Sequence, residues 1–539
     1  MVAMDGLSVQ LTLTVLTGLV SFFFMRLYRV RSHVRSLQKK GLPMPPHSFL
    51  FGHLRFVASI LSTLPPHIHG VYIADQIRQK YPDLDTAFYL DIWPMGQPHL
   101  MLIKPDLTYQ LTQANQLPKF PGLRRFLTPL AGEHNLVTME GPAWKRWRSI
   151  FNPGFSASHI SSLVPGMVDK VEVFKKKLTK LARTGELFHL EEMILNLTID
   201  IIGGAVMDHD FQSQSKYNDM VTALRNQLTW STTGIEISFL IKINFLRPFV
   251  HRYNTWRMNR YLYPRVKGRY SSILEQEGNP SKSVIDLALK AYQAENPSAD
   301  SIPVAFLEVA IAQIKLFIFA GHDTTSSSTI FTFDLLARHP EVLARLRAEH
   351  DTIFGPNPSE VGSRLTTAPQ LLNQLPYTLA VIKEALRIYP VVAALRVGQP
   401  GFSLVTEDGQ QFPTEDCIIV GDHYGVHHNP AVWPQAETFI PERWIVDEGD
   451  PLYPAKNAWR PFERGPRNCI GTELAMTEIK IILAMTVRSF DIVDAYEEFD
   501  ALKNNPKGMN VNGQRTYMVR GAGAGHPSDG YPCKVALRQ

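Results

Sequence analysis

Cysteine is nearly missing from this sequence: Cys417, Cys469 and Cys533 are the only 3 in 539 residues, and no two have a paired spacing. That excludes a disulfide framework, and a single thiolate held by one loop cannot build a closed zinc or iron–sulfur site, which needs about four ligands. It suits a reducing compartment for the bulk of the chain. Charge is sparse as well, at 19% Asp, Glu, Lys and Arg, with a net +5 that forms no nucleic-acid motif. Internal repeats and long low-complexity tracts are absent. So is a glycine-rich fingerprint behind a strand, so NADPH is not expected to bind this chain. What remains is 45% hydrophobic residues, enough for a large buried core.

Long apolar runs are rare, and one stands out. Residues 6–25 carry no charge and end in Val20-Ser21-Phe22-Phe23-Phe24-Met25. A helix of roughly twenty residues spans roughly 30 Å, the hydrocarbon core of a bilayer. Asp5 precedes the run; Arg26, Arg29, Arg31, Arg35, Lys39 and Lys40 follow it. That bias puts the C-terminal side in the cytosol and argues against a cleaved signal peptide, whose basic residues come first. The expected organisation is an anchor with its basic flank over 1–40, a stiff proline-rich hinge over 41–53 and a catalytic domain over 54–539. Beyond the hinge, residues 88–93 and 99–103 read as strands, and 402–412 as a hairpin turning at Asp408-Gly409. Helical periodicity dominates the rest.

The stretch that organises the chain is Pro461-Phe462-Glu463-Arg464-Gly465-Pro466-Arg467-Asn468-Cys469-Ile470-Gly471, running into a helix-forming segment over 472–485. Gly465 and Gly471 permit backbone angles that other residues avoid, so a flat ligand can approach the loop. Cys469 stands just before a helix N-terminus with arginines nearby, a setting that favours thiolate over thiol. One thiolate on one loop suits the single axial ligand of a haem iron.

The order Phe462, Gly465, Arg467, Cys469, Gly471 resembles the haem-binding loop of the cytochrome P450 family, and further motifs fall in the family's order. Trp144 and Arg148 share a helix face and look like the family's pair that contacts a haem propionate. Phe319-Ala320-Gly321-His322-Asp323-Thr324-Thr325 resembles its oxygen-activation motif, inside a helix expected to start with Ser301 as N-cap. By that match Thr324 is the hydroxyl that stabilises bound dioxygen, Asp323 belongs to the proton relay, and a local weakening of the helix opens a groove over the haem. Glu384 and Arg387, with Arg443 of Pro441-Glu442-Arg443-Trp444, look like a structural Glu/Arg network. Arg396 is expected to reach a propionate beside Arg467, and residues 120–126, 317–325 and 391–395 to border the substrate. Residues 240–249 are expected to line an entrance or dip into the bilayer surface.

The resemblance implies a mainly α cytochrome P450 fold with small β-sheets, an N-terminal transmembrane helix and a haem cofactor bound through Cys469. It implies a monooxygenase that inserts one oxygen atom from O2 into a small hydrophobic molecule, with electrons from NADPH through cytochrome P450 reductase. The expected setting is the endoplasmic reticulum membrane, single-pass with a cytosolic catalytic domain, in fungal secondary metabolism. Lys145, Arg146 and Arg464 offer basic contacts to the reductase. The competing readings are a reductase-independent haem-thiolate isomerase or dehydratase, and a non-catalytic haem or gas-binding protein.

Overall fold

The computed structural model describes residues 6–232, 244–275, 282–503, 508–521 and 523–538. Helix α1, Gly6–Lys39, opens the chain, and its apolar side chains between Leu11 and Met25 are exposed. The helix does not end where the apolar run does. Leu27, Arg31, Val34 and Leu37 recur at helical spacing on one face, and all four are buried. Arg31 thus corrects its reading as a flanking cation: it pairs with buried Asp91 and donates to Trp93 O at 2.8 Å and Leu50 O at 3.4 Å. A buried carboxylate needs such a partner, and Asp91 also meets His47 Nε2 at 3.0 Å. The proline-rich segment after α1 is tied down with it. Pro43 O accepts the Tyr89 N–H at 3.0 Å, and Pro45 O contacts His53 Nε2 at 2.9 Å.

The main sheet contains β1 (Ala87–Leu90), β2 (His99–Leu102), β3 (Ala394–Val397) and β4 (Ile418–Gly421), in the order β1-β2-β4-β3. Only β2 and β4 run parallel, with His99 opposite Ile418; Arg396 of β3 lies opposite Ile419. The first predicted strand stops at Leu90, because Asp91 is diverted to the α1 contact. The hairpin near 402–412 forms as Ser403–Val405 against Gln411–Pro413, with Gly409 at φ 85° in its turn.

Around these strands pack α2 (Pro121–Ala131), α3 (Gly141–Phe151), α4 (Ala157–Thr184), α5 (Leu190–Met207), α6 (Arg247–Glu275), α7 (Val304–Arg338), α8 (Pro376–Ile388) and α9 (Thr472–Thr486). Helix α7 runs through the centre against α2, α5, α6, α8 and α9, so most of its residues are buried on every side. Its N-cap is Pro303, not Ser301: the extended backbone at Pro303 (φ −61°, ψ 146°) hands its carbonyl to the Leu307 N–H at 3.0 Å. Gly321 lets α5 cross closely, since a Cβ there would lie 2.6 Å from Ile202 Cδ1.

Near the C-terminus the hairpin of β5 (Met518–Arg520) and β6 (Gly525–Pro527) folds back to α7. The Gly525 N–H donates to Val391 O at 2.8 Å, so this hairpin adjoins the apolar run before β3. Helix α8 carries the expected network, and it is fully buried. Arg387 donates to both Glu384 oxygens at 2.8 and 3.0 Å, while Arg443 Nε and Trp444 Nε1 each reach Glu384 at 3.0 Å. Within the 240–249 stretch, residues 240–243 fall outside the described residues; Phe245 and Phe249 are 77% and 71% exposed.

Candidate active site

The loop before α9 is shaped by its own backbone. The Cys469 N–H donates to Phe462 O at 2.9 Å and the Asn468 N–H to Gly465 O at 3.0 Å. Gly465 sits at φ 89°, and a Cβ there would come 2.5 Å from Thr112 O. Gly465→Ala is therefore expected to destabilise the protein by about 1–3 kcal/mol and to lower haem retention, measured by thermal melting and by absorbance of the purified protein. Gly471 departs from expectation. Its φ of −86° is open to any residue, and a Cβ would meet only Cys469 Sγ, at an ordinary contact distance of 3.8 Å, so neither backbone angle nor crowding within the protein requires glycine here.

Cys469 has exposed surface although protein surrounds it, the situation of a thiol on the wall of an internal space. Burial pushes this thiol up; the Gly471 N–H, the Arg148 guanidinium and the Thr472 hydroxyl work against that shift without reversing it. The helix end and Arg148 thus favour the thiolate as expected, but burial outweighs them. Deprotonation needs a metal, which is how metal binding and proton release are linked at cysteine. The other two cysteines are buried, and burial pushes Cys417 up to about 12.

Cations gather beside this loop. Arg396 is 3% exposed, and its one side-chain hydrogen bond among the described residues runs from Nη1 to Leu395 O at 3.0 Å; burial lowers it to about 10. Lys119, whose backbone bridges to Arg396, is pushed down to about 7 by burial and then by Arg396 and Arg467. Sequence reasoning missed Lys119. Arg467 pairs with Glu140 at 2.5 Å, donates to Met139 O at 2.7 Å and lies over the Trp144 ring at 4.8 Å. Arg148 is committed to the loop itself, through Asn468 O and Oδ1, both at 2.9 Å. Trp144 and Arg148 thus share the expected face but grip different partners. Within the loop, Glu463 is held down to about 2 despite burial, by His423 and then Arg460.

Helix α7 presents Ala320, Gly321 and Thr324 as a half-open patch in an otherwise buried stretch. The helix is α throughout Val304–Arg338, so the groove is a gap in side-chain cover and not the expected local weakening. The Thr324 hydroxyl donates to Ala320 O at 2.8 Å. Next to it, Asp323 Oδ1 meets His526 Nε2 of β6 at 3.1 Å, a partner no sequence signal indicated. Phe126 and Phe319 face one another at 6.0 Å beside this patch. Phe317, by contrast, belongs to the core, against Phe151 and Phe155. A separate cavity of about 800 Å³, lined by Asp75, Tyr389, His428 and Glu437 among others, holds none of the site residues named here.

A reachable thiol, a group of buried cations beside its loop, and a hydroxyl and a carboxylate on α7 fit the needs of an iron porphyrin with two propionates. Among the described residues no group of three or more His, Cys, Asp or Glu offers another metal site. The fold and site therefore define a haem-thiolate protein. The cytochrome P450 family profile matches residues 51–519, and the chain belongs to that family. It is 51% identical to a cytochrome P450 monooxygenase, PolC, of Polytolypa hystricis, over 96% of this chain and 93% of that one. Identity to a cytochrome P450 monooxygenase of Aspergillus aculeatus, AcrF, is 32%, over 89% and 100% of the two chains. The crystal structure of the cytochrome P450DA heme domain superposes with a TM-score of 0.69 at 21% identity, covering 92% of this chain and 98% of that one.

Proposed function

We propose that this protein is a membrane-anchored monooxygenase that inserts one atom of O2 into a small hydrophobic molecule of fungal secondary metabolism. Electrons come from NADPH through cytochrome P450 reductase. The observation that supports the reading is the half-open patch of α7 at Ala320, Gly321 and Thr324, with the buried Asp323 carboxylate next to Thr324 in the chain. A reductase-independent isomerase has no use for such a proton-delivering pair. When bound, the haem supplies the redox and oxygen-activating chemistry.

The chain's own residues do the rest. Cys469 would hold the haem iron through its sulfur, with Phe462, Gly465 and Gly471 shaping the loop around it. Arg396 and Lys119 neutralise the propionates, flanked by Arg467 and Trp144, while Arg148 fixes the loop through Asn468. Thr324 holds a hydroxyl, and Asp323 a carboxylate, on the oxygen side. Apolar side chains such as Phe126, Phe319 and Leu395 bind the substrate and exclude water.

The apolar part of α1 anchors the protein in the endoplasmic reticulum membrane as a single pass, with the domain cytosolic. Exposed Phe245, Phe249, Tyr253 and Trp256 rest on the bilayer surface. Lys145 and Arg464 face outward to the reductase, whereas Arg146 is paired with Glu295. The test is co-expression with the reductase in a metabolite-producing fungal host under isotopically labelled O2. Mass spectrometry is expected to find one labelled oxygen atom per oxidation in a new product. Turnover that proceeds equally well without O2 overturns the reading.

A further inference from the structure

The proposed mechanism leaves one question: Asp323 is 5% exposed, and each turnover needs it to be recharged with a proton from solvent. Its only described side-chain partner is His526, on the C-terminal hairpin. On the other side of the same ring, His526 Nδ1 contacts Glu191, at the start of α5. The side chains of Asp323, His526 and Glu191 are 5%, 13% and 20% exposed. The row therefore leads outward from the hydroxyl–carboxylate pair of α7 to the surface, and three separate elements build it.

We propose that His526, held by Glu191, is the positioning residue that passes solvent protons to Asp323 during oxygen reduction. The inference rests on the monooxygenase reading above. As imidazolium, the ring gives its Nε2 proton to Asp323 Oδ1. The N–H electron pair stays on nitrogen, and the carboxylate becomes a carboxylic acid beside Thr324. Glu191 keeps hold of the Nδ1–H, and a solvent proton reaching the 13% exposed ring restores the imidazolium at Nε2.

The electrostatics agree with this geometry. Burial alone would lower His526, but the Asp323 carboxylate and then Glu191 overcome it and raise the ring to about 10. Burial would raise Asp323, yet His526 holds it below the usual carboxylate range. The other groups that face the pair are His322 of α7, His69 before β1, and Arg225. Burial lowers the two histidines to about 4, so both stay neutral near neutral pH. Since His526 is raised above its ordinary 6.5, its contribution to stability is full below that pH and is lost as pH climbs through about 10.

The experiment uses the full-length haem-loaded protein with cytochrome P450 reductase in phosphatidylcholine vesicles, without added substrate. NADPH oxidation is followed from about pH 6 to 10 in light and heavy water. His526→Gln keeps an N–H donor for one of the two carboxylates but carries no transferable proton. It is expected to retain the carbon monoxide difference spectrum of thiolate-ligated haem, while NADPH oxidation falls about tenfold or more and its solvent isotope effect rises. Glu191→Gln is expected to move the alkaline limb of the profile down by about one pH unit or more. Independently of turnover, NMR of labelled histidine nitrogens is expected to show His526 as imidazolium near about pH 8 in the unaltered protein and neutral in Asp323→Asn.

An unchanged rate, isotope effect and pH profile in His526→Gln overturns the proposal. If that variant does not fold, an unmoved alkaline limb in Glu191→Gln overturns it. Loss of the thiolate spectrum, or of O2-dependent NADPH oxidation, in the unaltered protein sinks the monooxygenase reading instead.

Discussion

Cys469→Ala is expected to abolish the thiolate carbon monoxide spectrum and all NADPH-dependent oxidation, while Cys417→Ala and Cys533→Ala keep both. The argument is one of access and geometry. Cys417 and Cys533 are 2% and 0% exposed, the latter within a strand, and neither has an opening through which iron could approach. Cys469 alone combines exposed surface with a bonded loop and a helix N-terminus behind it. Truncation of Cys469 removes only a small thiol with exposed surface, so the apoprotein is expected to fold about as well as before. Retention of the thiolate spectrum by Cys469→Ala, or its loss in all three variants, would refute the assignment.

Arg387→Ala is expected to cost about 3–5 kcal/mol, a large part of the stability of an ordinary domain. The change strands Glu384 in a fully buried setting with Arg443 and Trp444 as its remaining side-chain partners. It also frees the carbonyls of His427, Ala436 and Thr438, which Arg387 holds at 2.8, 2.6 and 3.0 Å. Arg387→Lys is expected to rescue little, because one ammonium cannot reproduce the planar fork that meets two carboxylate oxygens and three carbonyls. Denaturant melts of the three proteins check this. A midpoint for Arg387→Ala indistinguishable from the unaltered protein would show that the network is dispensable.

What could be read from the sequence followed from how local each constraint is. The Cys469 loop and the Glu384–Arg387 pair are legible because their chemistry ties residue types to short, fixed spacings. His526 was not, since its partner Asp323 lies 203 residues away and neither residue's neighbours betray the contact. Lys119 stands between a proline and a phenylalanine and carries no signature of a site; only the bridge to Arg396 brings it there. Gly471 looked conformational, but its φ of −86° is ordinary, because a sequence shows that a side chain is missing and not which backbone angle the position adopts. Arg31 reads as one more cation after an apolar run until Asp91 is seen beneath it.

That last contact reaches beyond stability. Helix α1 passes without interruption from lipid-suited side chains to a buried cation locked onto the β1–β2 connection. Such a tether transmits torque. In the anchored arrangement proposed above, the tilt of this one helix would set the height and azimuth of the whole catalytic body, so a thicker or thinner lipid leaf would turn that body relative to the membrane.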